Sequence, residues 1–122
     1  MDADKPLCGR DPQSTYVELA VEIFSMLADA TRVRIVLALR DGELSVNSLA
    51  EVVDKSSAAV SQHLAKLRLA RIVSTRQEGT RVFYRLANEH ASRLVSDAIF
   101  QAEHALTSSP AHHQAQTPLA VG

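Results

Sequence analysis

Between Ser57 and Leu86 the apolar pattern changes once, from helical to alternating, and that change limits the folds open to the chain. Val60, Leu64 and Leu67 recur at i, i+4 and i+7 and so share one stripe of a helix running from Ser57 to about Ala70. Ser57, Ser61, Gln62, His63 and Lys66 fall outside the stripe and face outward. Beyond the helix, the β-branched and aromatic runs Ile72 to Arg76 and Val82 to Leu86 are joined through Glu78-Gly79, where glycine supplies the positive φ of a hairpin turn. Helix followed by hairpin predicts a winged helix: a mainly α domain with a β-hairpin wing.

The segments before this unit complete it. Val17, Ala20, Val21, Phe24 and Leu27 hold helical spacing for a first helix. Asp29 to Thr31 offers caps for a second, whose Val33, Ile35, Val36, Leu37 and Leu39 are apolar enough for the deep core and which stops at Asp41-Gly42. Glu43-Leu44 suits a short extended segment, and Ser45 caps a third helix carrying Val46, Leu49, Ala50 and Val53. With a tight turn over Asp54 to Ser56, the third and fourth helices have the length of a helix-turn-helix, whose second helix enters a major groove. After the wing, Asn88 is an N-cap for a last helix striped by Leu94, Val95, Ala98, Ile99 and Ala102 and ending near Leu106. The core of so small a domain is already supplied, so the first and last helices are the expected dimer surface. Residues 1–14 and 107–122, rich in proline and polar residues, are expected to be a flexible arm and tail around one domain at 15–106.

Charge refines the function. The chain carries a net −1, yet Lys55, Lys66, Arg68, Arg71, Arg76, Arg81 and Arg85 face a single acid, Glu78, between positions 55 and 85. That window is +6 and the remainder −7, so one module attracts phosphates while the rest does not. Ser57, Ser61, Gln62, His63 and Lys66 are therefore candidate DNA contacts on the helix, with Arg76, Thr80 and Arg81 on the wing. An ordinary solvated face is the alternative for all of them, and local packing the alternative for His63. Gln62 has the donor and acceptor pair that reads adenine. No run of about 18 apolar residues is present for a membrane span, and the start is too polar and acidic for a signal peptide, so a cytoplasmic protein is expected. The lone Cys8 forms no intramolecular disulfide and has no activating neighbour in sequence. No general base or nucleophile arrangement accompanies the histidines, so an enzyme is not expected.

The order of elements and the strings MLADATRVRIVLAL, LSVNSLAE, AAVSQHLAKLRLARIV and GTRVFYRL resemble the ArsR/SmtB family of metal-responsive winged-helix repressors, from Val17 to Ala105. The resemblance implies a homodimer on an inverted-repeat operator, with the metal-bound form releasing the DNA and so derepressing a metal efflux gene. The cysteines that arsenic and cadmium sensors place at the third helix are absent, since the matching stretch reads Leu44-Ser45-Val46-Asn47. The last-helix pattern of zinc and nickel members is half kept, as Asn88-x-His90 and Gln101-x-x-His104. A separate set, His90, Glu103, His104, His112 and His113, has spacing similar to that of a nickel- and cobalt-sensing member, the histidine pair in the tail included.

Helical geometry says how such a set could work. His104 lies fourteen positions after His90, about 40° round the helix but about 21 Å along it, so one chain cannot bring both to one ion. Antiparallel pairing of two last helices would bring His90 of one subunit to His104 of the other, giving two sites per dimer. Glu103 lies about 140° round from His90 and is the least well placed of the set. An extended chain covers about 3.3 Å per residue, so His112 and His113 can fold back to either site. Asn88 is a better cap than ligand, and Asp97, midway between His90 and His104, would meet its own copy near the dimer axis. Imidazole and carboxylate ligands without thiolate favour borderline ions, and five candidates plus water suit six-coordinate Ni(II) or Co(II) better than four-coordinate Zn(II). Zinc response, metal-independent regulation and a winged-helix protein-interaction module remain the alternatives.

Overall fold

Polar caps start four of the five helices and thereby set the frame of the domain. In the computed structural model, which describes residues 10–107, α1 spans Val17–Leu27 and α2 spans Ala30–Ala38, followed by a 3-10 turn at Leu39–Asp41. Next come α3 (Val46–Val53), α4 (Ser57–Leu69), the strands β1 (Val73–Glu78) and β2 (Arg81–Leu86), and α5 (His90–Thr107). The Asp29 carboxylate accepts the Arg32 N–H at 3.0 Å, the Ser45 hydroxyl the Ser48 N–H at 3.2 Å and the Ser56 hydroxyl the Ala59 N–H at 3.1 Å. The Asn88 side-chain carbonyl accepts the His90 N–H at 2.9 Å. Each cap satisfies a donor that the helix itself leaves unpaired.

The core is built from α2 to α5 together with the base of the wing. Ile35 and Val36 of α2, Leu49 of α3, and Val60, Leu64 and Leu67 of α4 are fully buried, joined by Val73 of β1 and Ala91 and Val95 of α5. The stripe expected on α4 is the face that is covered. α1 behaves differently: of its apolar stripe only Leu27 is buried, whereas Val21 and Phe24 are 58% and 56% exposed. The second helix is covered on both sides and the first on only one, so part of the α1 stripe faces outward.

β1 and β2 pair antiparallel with Glu78 opposite Arg81, and Gly79 turns the tip at φ +62°. Leu44 adds a third rung: its N–H donates to the Tyr84 carbonyl at 3.0 Å and its carbonyl accepts the Tyr84 N–H at 2.8 Å. The extended Glu43-Leu44 segment expected from the sequence is thus the edge of the wing. The strands are displaced slightly from their expected positions, because Ile72 is used to end α4. The Ile72 N–H reaches the Leu67 carbonyl at 2.9 Å and the Arg71 N–H reaches the Arg68 carbonyl at 2.9 Å, with Arg71 left-handed at φ +62°. This is a Schellman helix end in which arginine occupies the position that normally takes glycine. The last helix runs one residue past its expected end, to Thr107, whose hydroxyl donates to the Glu103 carbonyl at 3.0 Å. Cys8, His112, His113 and most of the expected arm and tail lie outside the described residues.

A left-handed conformation costs an L-residue about 1–2 kcal/mol relative to glycine. Arg71→Gly is therefore expected to stabilise the fold by about 1 kcal/mol, read as a higher denaturant midpoint at unchanged m-value. A lower midpoint would show that the Arg71 side chain contributes more than its backbone costs.

Candidate nucleic-acid interface

The outward side of α4 follows from its buried side. With Val60, Leu64 and Leu67 in the core, Ser57, Ser61, Gln62 and Lys66 are all exposed along one 13-residue helix. The Ser57 hydroxyl donates to the Asn47 side-chain carbonyl at 2.8 Å, which ties the start of α4 to α3. Lys66 and Arg68 occupy the last turn of the helix, where its dipole favours cations.

His63 is placed differently from its neighbours. It is half-buried on the flank of the stripe, and its Nδ1 accepts the Arg32 Nε–H at 3.0 Å. The same guanidinium donates through Nη1 to the Met26 carbonyl and Sδ, each at 3.2 Å, so Arg32 joins the end of α1, the start of α2 and the middle of α4. Asp29 closes the group: the Arg32 backbone N–H holds its carboxyl below the usual carboxylate range, with smaller contributions from the His63 and Arg32 side chains. His63 thus has the local packing that competes with a DNA contact.

The pleat of the wing sorts its residues. Val73, Thr75, Tyr84 and Leu86 share one face, on which Val73 is buried and Tyr84 and Leu86 pack against the core. Ser74, Arg76, Glu78, Arg81, Phe83 and Arg85 share the other, solvent-facing side. Thr80 sits at the tip and Arg81 follows it. Arg76 is held by two acids. Its Nε and Nη2 grip the Glu43 carboxylate at 2.8 to 3.0 Å, and its Nη1 donates to Glu78 at 3.1 Å.

At the other end of the domain, His90 is the first residue of α5 and Glu103 and His104 lie in its final turns, all exposed on one continuous 18-residue helix. Asn88 spends its side-chain carbonyl on the His90 N–H, as a cap. Among the described residues no group of three or more His, Cys, Asp or Glu side chains within one chain converges to hold a metal. Arg32 and Glu43 were not singled out by sequence reasoning, because their partners lie 31 and 33 positions away and no local period reports such pairings.

Residues 29–75, from the cap of α2 into β1, match the profile of the bacterial regulatory protein arsR family. The HTH-type transcriptional regulator KmtR of Mycobacterium tuberculosis is 58% identical over 108 residues, covering 88% of this chain and 83% of that protein. The chain belongs to the ArsR family. The HTH-type transcriptional repressor SmtB of Mycobacterium tuberculosis is 34% identical over 100 residues, 82% of this chain and 74% of that one. The solution structure of a homodimeric winged helix-turn-helix DNA-binding domain from Mycobacterium bovis, itself described as a possible ArsR-family regulator, superposes with a TM-score of 0.69 at 26% identity. The match covers 88% of this chain and 95% of that one. This ArsR-family chain is accordingly a winged helix-turn-helix transcriptional repressor and not an enzyme. Among the described residues no helix is long and apolar enough to cross a membrane.

Because the folded pKa of Asp29 is depressed, its contribution to stability is present above the ordinary value of 3.8 and is lost as pH falls through the lower folded value. Asp29→Asn, which keeps a capping oxygen, is expected to flatten the loss of stability in that acid range. Denaturant melts of both proteins from neutral pH down to strong acid check it, and identical slopes would show that the Asp29 charge is not linked to folding.

Proposed function

We propose that this ArsR-family regulator is a homodimer whose metal-free form binds an inverted-repeat operator and whose complex with Ni(II) or Co(II) lets the DNA go, so that a metal efflux gene is expressed. The observation that carries the reading is the placement of His90 and His104 at opposite ends of one unbroken α5, both exposed. Such a pair is useless to one chain and useful to two antiparallel helices.

The dimer is supported by surface. A cleft of about 300 Å³ between α1, α2 and α5 is lined almost wholly by apolar side chains, among them Phe24, Leu27, Val33, Leu94 and Ala98. Phe24 in this lining, and Leu19 and Val21 elsewhere on α1, are more than half exposed. Apolar area on two neighbouring helices is what an obligate homodimer covers. Pairing there places two α4 helices on one side of the assembly, where Ser57, Ser61, Gln62 and Lys66 would meet base edges and phosphates, and Arg76, Thr80 and Arg81 the flanking backbone. His63 joins the reading face where its second nitrogen reaches the DNA.

The donor set fits the ion. His90 and His104 of the partner subunit would hold it, with Glu103, His112 and His113 as further ligands, and this imidazole and carboxylate chemistry suits Ni(II) and Co(II), with Zn(II) as the competitor. Tying two α5 helices together favours one dimer geometry, and the spacing of the α4 helices changes with it. Coupling of this kind amounts to about a 5- to 150-fold change in affinity.

Fluorescence anisotropy of the full chain on its own upstream DNA, titrated with each metal at fixed salt and pH, tests this. Ni(II) or Co(II) is expected to weaken binding about tenfold or more and at lower concentration than Zn(II). His90→Ala and His104→Ala are expected to bind DNA normally and to lose the response. Release by zinc first would change the metal, and an intact response in both variants would remove the site.

A further inference from the structure

The solvent-facing side of the wing holds three guanidinium groups and an acid that comes from outside the hairpin. Arg76, Arg81 and Arg85 lie on one face with Phe83 among them, the Arg76 and Arg81 carbons standing 5.0 and 5.2 Å from the centre of its ring. Glu43, on the loop before α3, enters this cluster from the edge. Both of its oxygens accept from Arg76 Nε, at 3.0 and 2.9 Å, and Oε1 also accepts from Nη2 at 2.8 Å. Arg85 Nη1 stands 3.9 Å from Oε2, and Arg85 Nε donates weakly to the Ser74 hydroxyl at 3.4 Å.

Two carboxylate oxygens across an arginine fork have the shape and charge of two phosphate oxygens on the same fork. The Glu43 carboxyl is held in its ionised form by the Arg76 hydrogen bonds, and Arg76 is held correspondingly further into its own charged range by Glu43 and Glu78. The pair is nevertheless open to water, with side-chain exposures of 42% for Arg76 and 27% for Glu43. A solvated ion pair of this kind contributes little to folding and can be exchanged. Nothing in the core depends on it, because Leu44 and Tyr84 already fix the edge of the wing through two backbone hydrogen bonds.

We propose that Glu43 is an internal stand-in for a DNA phosphate: it occupies the guanidinium site of Arg76 in the free protein, and operator binding replaces this carboxylate with a backbone phosphate. The proposal rests on the DNA-binding reading above and adds a residue that sets its strength. Three arginines against Glu43 and Glu78 leave this face at +1 in the free protein. Removing Glu43 leaves it at +2 and frees a fork that is otherwise engaged. Glu43 thereby lowers the sequence-independent part of binding, because its hydrogen bonds to Arg76 must be given up before a phosphate takes their place. Specific reading by α4 is untouched, so Glu43 weakens operator and random DNA alike and leaves their ratio unchanged.

Glu43→Gln, Arg76→Gln and the double variant of the full chain are compared on operator and random DNA across a salt series. Glu43→Gln is expected to bind random DNA roughly threefold tighter at low salt with a similar salt slope, and the double variant is expected to lose that gain and about one unit of slope. Unchanged or weaker binding by a folded Glu43→Gln protein overturns the proposal and makes the pair a wing support only. As a second readout, the Arg76 Nε–H resonance of the wild-type chain is expected to shift when operator is added. A resonance that stays in place shows that the carboxylate remains bound and also overturns it. Absence of DNA binding by the wild-type chain removes the reading underneath, an outcome separate from either of these.

Discussion

The rotation of α4 about its own axis decides what this protein can do, and three buried side chains set that rotation. Val60, Leu64 and Leu67 are fully covered by α2, α3 and the base of the wing. Burying each contributes about 1.5–3 kcal/mol, so together they outweigh any single polar contact on the helix. With the stripe held inward, Ser57, Ser61, Gln62 and Lys66 have no choice of direction. The Ser56 cap, the Ser57–Asn47 bond and the Arg32–His63 bond then adjust a helix whose orientation is already determined.

Local patterns carried most of this fold. The period of Val60, Leu64 and Leu67, the glycine of the hairpin, the capping residues Asp29, Ser45 and Asn88 and the deep position of α2 were all legible, because each depends on residues a few positions apart. The exposure of α1 was legible only in part. A helical stripe reports that a face will be covered, and it does not distinguish cover by the same chain from cover by another. Arg71 escaped notice for a related reason, since a Schellman end is recognised by its glycine and here the position holds arginine.

α5 is only partly used by its own chain. Ala91 and Val95 anchor it to the core, while Leu94 and Phe100 remain exposed and His90 and His104 stand apart at its two ends. A helix that only completed the fold could stop after Ile99. Its length becomes useful when a second, antiparallel copy lies alongside, because histidines separated along one helix then become neighbours between two. The proposed arrangement draws on apolar surface and on histidine spacing through unrelated physics, hydration in one case and coordination geometry in the other.

Charge shows where reading by sequence window reaches its limit. The segment from Lys55 to Arg85 is strongly basic on paper, and each of its arginines counts equally there. In space they do not. Arg76 is neutralised by Glu43, an acid that lies outside the window and arrives only because Leu44 pairs with Tyr84. A hydrogen-bonded rung between backbone groups thus determines which cations face the solvent unpaired. The electrostatic surface that meets DNA is consequently a product of tertiary structure, and a change to the backbone at the edge of the wing would alter it as surely as a change of charge.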